Sequence, residues 1–134
     1  MKAEHSWAAE VNGQTVALLT LSRLEWHLST GFIDDVAVDQ AFRGHGGGSA
    51  LLETLKAYAR EHGFRGVFWE AQTDNKEAID FALRHGFVFA GFNDRWYRND
   101  DLVLQGTPEF LGIAVFLYWA AQTSQRAIAE MPTP

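Results

Sequence analysis

Apolar and polar positions change their rhythm several times along the chain, and each change marks an element. Trp7 to Val11 reads as a short strand, and Asn12-Gly13 is a hairpin turn, since both residues tolerate positive φ. Thr15 to Trp26 is a longer strand whose first part is continuously apolar, the pattern of burial on both faces. Ser29-Thr30-Gly31 reads as a second turn, and Phe32 to Asp39 as a third strand carrying β-branched Ile33, Val36 and Val38. The three predict an antiparallel meander. A helical period then takes over at Leu51, Leu55, Tyr58, Ala59 and His62, and Gly63 closes that helix. Gly66 to Ala71 is a compact strand. Because a helix leads into it, it should lie parallel to the strand before, by a right-handed crossover. Thr73-Asp74-Asn75 caps a helix from Lys76 to His85, ended by Gly86. Phe87 to Phe92 and Gly112 to Trp119 are the last strands. The fold class is α/β (α+β): a mixed, mostly antiparallel sheet holding a meander and one βαβ unit.

Composition narrows the picture. The 134 residues are 47% hydrophobic and 13% aromatic, enough for one folded domain over 1–134. A formal net charge of −6 argues against nucleic acid, whose phosphates it would repel. With no cysteine there is no disulfide, thiolate nucleophile or cysteine metal site. The five histidines, His5, His27, His45, His62 and His85, show no ligand spacing, so no metal is expected. The start, MKAEHSWAAEVNG, has no apolar signal core, and Phe110 to Ala121 is too short to cross a bilayer. These features predict a cytoplasmic protein with no membrane contact.

The chemistry concentrates where the third strand meets the first helix, at Arg43-Gly44-His45-Gly46-Gly47-Gly48-Ser49. The first turn of a helix leaves backbone N–H groups without partners and carries partial positive charge. Glycines there let a phosphate approach those groups, so the stretch is expected to cradle an anion such as a pyrophosphate. It is not a P-loop, because no lysine stands at its end. A dinucleotide fingerprint would start at Gly44 and Gly46, with Glu70 at about the distance to hold a ribose, but its third glycine falls on Ser49.

The spacing Arg43, Gly46, Gly48, preceded by Val36-Ala37-Val38, resembles the coenzyme A pyrophosphate loop of the GNAT superfamily of N-acetyltransferases. A second segment, Asn75-Lys76-Glu77-Ala78-Ile79-Asp80-Phe81-Ala82-Leu83-Arg84-His85-Gly86-Phe87, is similar to that family's second cofactor motif. The C-terminal part, GFNDRWYRND and GIAVFLYW, is similar to streptothricin-type members. The resemblance implies helices on both faces of the sheet and acetyl-CoA as cosubstrate. The acceptor is then a primary amine on a small molecule or a peptide. Val36, Ala37, Val38, Arg43, Gly44, His45, Gly46, Gly47, Gly48, Ser49 and Asn75 would hold the coenzyme.

The same resemblance assigns catalytic roles. Val38 offers a backbone N–H to the thioester oxyanion. Asp34 or Asp35, placed on opposite faces by strand alternation, accepts the amine proton. Tyr97, or water, stands in for the family's usual tyrosine acid, whose position holds Ala82. Measured against the family, a strand and two helices are missing ahead of the first hairpin. That implies an exposed sheet edge, covered by a longer reading frame or by a homodimer partner, or else a catalytically reduced acyl-CoA-binding module.

Overall fold

The computed structural model describes residues 2–25, 27–93 and 113–121. Six strands and two α-helices alternate as β1 (Lys2–Val11), β2 (Gln14–Leu24), β3 (His27–Val38), α1 (Gly47–Glu61), β4 (Gly66–Gln72), α2 (Lys76–Arg84), β5 (Val88–Asn93) and β6 (Ala114–Ala120). The strands form one mixed sheet in the order β1-β2-β3-β4-β6-β5. The chain divides into two compact units, 1–67 with 120–134 and 68–119, the division falling within β4.

The first unit is the predicted meander with α1 packed on it. Asn12 and Gly13 both have positive φ, and the β1–β2 hairpin closes around them from Val11 to Gln14. Leu19, Leu21 and Ile33 from the strands meet Leu51, Leu52, Leu55 and Ala59 from α1 in a core where each is almost fully buried. His62 lies one residue past α1 as its C-cap, with Gly63 following at φ 76°.

Two expectations change here. The second turn is not at Ser29-Thr30-Gly31, because Leu24 pairs with His27 and Gly31 pairs with Arg23 inside the β2–β3 ladder. Gly31 is small for a packing reason: a Cβ there would lie 2.9 Å from Leu21 Cδ1 and 3.2 Å from the Phe64 ring. The first strand is also longer than its apolar residues indicate, starting at Lys2. Tertiary contacts hold its polar half. Arg23 grips the Glu4 carboxylate with Nε at 3.0 Å and Nη2 at 3.3 Å, and lies 4.0 Å over the Phe64 ring. Tyr58 of α1 donates its hydroxyl to Glu4 at 3.0 Å and stacks against His5 and His62. The Arg23 hydrogen bonds hold the Glu4 carboxyl below its ordinary range, while burial first and the Glu4 contact second push the Tyr58 hydroxyl up.

β3 and β4 are neighbours joined through α1, and Arg65 N donates to Ser29 O at 2.7 Å where the two strands begin. In the second unit Trp69 packs edge-on against Phe81 at 5.9 Å and Phe87 at 5.8 Å, which seats α2 on one face of β4. Asn75 caps α2, its side-chain oxygen accepting from Ala78 N at 3.2 Å, and β5 runs antiparallel to β6.

Candidate functional site

The end of β3 is bolted in place before the glycines begin. Asp39 N donates to Val16 O at 2.8 Å, and its side chain accepts from Ala41 N at 3.0 Å, starting a single 3-10 turn over Gln40–Phe42. Arg43 folds back, donating from Nε to Val38 O at 3.3 Å. The N–H groups of Asp39 and Asp35 both point at β2, the latter reaching Thr20 Oγ1 at 3.1 Å. Successive N–H groups along a strand point to opposite edges. Those of Val36 and Val38 therefore point away from β2.

Gly44 and Gly46 then take positive φ, 80° and 87°, and Gly46 is the N-cap of α1. A glycine cap has no side chain to offer, so nothing closes over the first helical turn, and no acidic residue lies in that turn. His45 N is bonded within the loop to Phe42 O at 3.3 Å. Among the described residues the N–H groups of Gly44, Gly46, Gly47 and Gly48 have no partner. A Cβ at Gly44 or Gly46 would meet nothing within 4 Å, so these positions are glycine for conformation and open approach, not for packing. Adjoining the strand end is an open depression of 280 Å³ lined by Thr15 to Leu18 and Ala37 to Asp39. The loop is thus a set of bare donors at the positive end of a 15-residue helix.

Asp34 and Asp35 do not alternate. Thr20 pairs with Asp35 and Leu21 with Ile33, so Asp34 is the extra residue of a β-bulge. Asp34 accepts a hydrogen bond from Ser22 Oγ, and Asp35 lies across from Thr20. Ser22 and Thr20 share one face of β2, opposite to Leu19 and Leu21. Both carboxylates are therefore on that same face, and both are exposed. The bulge also accounts for two poor strand formers in tandem.

In the second unit, Asn75 engages its oxygen in the α2 cap and keeps its amide NH2 available to a ligand. Ala82 is fully buried, so a core methyl stands where the resemblance expects a phenol. Tyr97 lies outside the described residues. One group that the sequence reading gave only a ribose-binding role stands out chemically. Glu70, in the middle of β4, is half-buried, and desolvation pushes its carboxyl above the ordinary value of 4.5. Its signal in the sequence is a lone carboxylate between Trp69 and Ala71 in the otherwise apolar stretch 66–71.

A glycine turn between a strand and a helix, with bare N–H donors, is the kind of site that suits an anion. Residues 1–87 match the model of the acetyltransferase (GNAT) family, and the chain belongs to that family. It is 32% identical over 87 residues to streptothricin acetyltransferase A of Bacillus subtilis, covering 65% of this chain and 46% of the relative. It is 35% identical over 97 residues to an uncharacterised N-acetyltransferase of Methanocaldococcus jannaschii, covering 69% and 42%. The fold matches a Bacillus anthracis protein described as a streptothricin acetyltransferase and solved with acetyl coenzyme A. The TM-score is 0.70 at 26% identity, over 86% of this chain and 61% of that one. The chain thus spans less than half the length of these two curated relatives.

Proposed function

We propose that the two units are parts of one catalytic domain that transfers an acetyl group from acetyl-CoA to a primary amine. The observation carrying this reading is the αL Gly46 cap, with open N–H donors at Gly44, Gly46, Gly47 and Gly48. These donors, with Ser49 and the Arg43 guanidinium, take the coenzyme's pyrophosphate. His45 contributes through the loop shape that its own N–H helps to close. The Val36-Ala37-Val38 backbone holds the pantetheine arm. The Val38 N–H, turned away from β2, donates to the thioester oxygen as negative charge develops there.

Acetyl transfer joins the amine nitrogen to the carbonyl carbon, breaks the C–S bond and leaves coenzyme A as the thiol. An alkylammonium has a pKa of about 10, so a base must take its proton before attack. Glu70 is assigned this role, because a carboxyl raised by burial holds a proton better than an ordinary one. Asp34 and Asp35 are the alternatives, with Asp34 restrained by Ser22. The buried methyl at Ala82 leaves proton return to the thiolate to Tyr97 or to water.

The test is release of free thiol from acetyl-CoA with streptothricin-like compounds, aminoglycosides, polyamines and peptides as acceptors. Turnover with at least one amine is the expected result. Coenzyme binding without turnover on any of them would favour the reduced acyl-CoA-binding module. Absence of coenzyme binding would overturn both.

A further inference from the structure

The sheet has two ends, and they are built differently. β1 forms one end, and its ladder with β2 shifts register twice, at Ala3/His5 and at Ala9/Glu10. It also carries Lys2, Glu4 and Glu10. Bulges and charges of this kind keep a sheet edge from pairing further. β5 forms the other end, bonded to β6 on one side. Its sequence, VFAGFN, holds no charge and no proline. Val88, Phe89 and Phe92 are 59%, 59% and 73% exposed.

Register arranges these side chains. Phe89 pairs with Leu117 and Phe92 with Val115, the ladder shifting between Phe89 and Gly91. Paired residues share a face, and Leu117 and Val115 lie two apart, so both phenylalanines stand on one face despite their odd spacing. Leu117 is fully buried on that face, and the apolar layer runs from it out to the edge. Val88 and Asn93, paired with Tyr118 and Ala114, stand on the other face.

We infer that β5 is an interface between two copies of this chain, paired antiparallel and edge to edge about a two-fold axis between Ala90 and Gly91. The pattern is self-complementary. In that register Phe89 lies opposite the partner's Phe92, and Val88 opposite the partner's Asn93. The two-fold repeats the aromatic pair, so four rings meet on one face, and the outward N–H and C=O groups of both strands find partners. β5 brings no charged side chain to the contact, which suits two copies that each carry a net charge of −6. The exposed parts of Val88, Phe89, Phe92 and the strand edge come to about 400–500 Å² per copy, near the lower limit of about 1,000 Å² in total for a specific interface. A reversible dimer with a dissociation constant of about 1–100 μM follows from that area. None of this depends on the acetyl-transfer reading.

Sedimentation velocity of the full chain, over concentrations that bracket this constant, should show monomer passing to dimer. Phe89→Glu and Phe92→Glu should each weaken association at least about 100-fold, and Phe92→Ala about tenfold. Val11→Glu, at the exposed end of β1, should leave it unchanged. Cross-linking reads the register, because the chain has no cysteine of its own. Phe89→Cys chains mixed with Phe92→Cys chains should form an oxidised dimer, and neither alone should, since only residues directly opposite come within disulfide reach. A dimer that survives both glutamate substitutions, one broken by Val11→Glu alone, or cross-linking by either cysteine variant alone as fast as by the mixture would overturn the interface. A monomer at every concentration would overturn it too, and if Phe92→Glu then lowers the melting temperature, the edge is covered from within the same chain.

Discussion

Gly46 meets two demands at one residue: a left-handed backbone at φ 87° and a bare approach to the N–H groups that follow. Gly46→Ala should cost about 1–2 kcal/mol of stability from the αL conformation alone. Gly46→Glu carries the same strain and adds a carboxylate where the pyrophosphate would sit. Its loss of coenzyme affinity by calorimetry should exceed that of the alanine variant by at least about tenfold, or 1.4 kcal/mol. Equal losses would mean that the position matters only for folding. The glycine run was legible in the sequence because its physics is local. The aspartates were legible only as a pair: strand alternation put them on opposite faces, and the bulge at Asp34 put them on one. Glu70→Gln should lower kcat by about 10²–10⁴, the usual contribution of a general base, while Asp34→Asn and Asp35→Asn lower it less than about tenfold. Steady-state kinetics with the best acceptor checks this, and the reverse order would return the role to the aspartates.

Among the elements, α1 is well anticipated, and its apolar face is buried at Leu51, Leu52, Leu55 and Ala59. Leu52 and Leu55 are fully buried, so Leu55→Ala should cost about 2–5 kcal/mol in a denaturant melt. Gly31→Ala is the sharper test of the revised hairpin. A methyl there must displace Leu21 or Phe64, and about 1–3 kcal/mol is expected. A neutral effect would mean that the close contact relaxes freely. The moved turn and the longer β1 share one cause. Ser29-Thr30-Gly31 carries local turn chemistry, and Lys2 to Ser6 carries almost no strand chemistry. Pairing with β2 and the Glu4–Arg23–Tyr58 contacts outweigh both local preferences. Such contacts join residues far apart in the chain, and no window of neighbouring residues contains them.

For the whole molecule, two carboxylates give stability opposite pH dependences. Glu4 is held below its ordinary value of 4.5, so its contribution is fully present above 4.5 and is lost as pH falls through the depressed value. Glu70 lies above 4.5, so between 4.5 and its raised value the folded chain keeps a proton that the unfolded chain releases. Stability then falls as pH rises through that window. Melting temperatures across the range should show Glu4→Gln flattening the acid side and Glu70→Gln flattening the opposite side. A Glu70→Gln profile that overlays the parent would mean that desolvation at Glu70 is relieved.

Two motifs that resemble the family's pointed to the family whose model matches residues 1–87. By itself the sequence determined the order of elements and the glycine turn ahead of α1, which follow from periodicity and backbone freedom over fewer than about 20 neighbouring residues, where local sterics and hydrogen bonding decide. Only the tertiary structure decided that Asp34 sits on a bulge, that Gly31 lies inside a strand against Leu21 and Phe64, and that Glu70 is partly withdrawn from water. Strand register and desolvation are properties of what comes from elsewhere in the chain to lie alongside a residue. No residue's own neighbours in sequence carry that information.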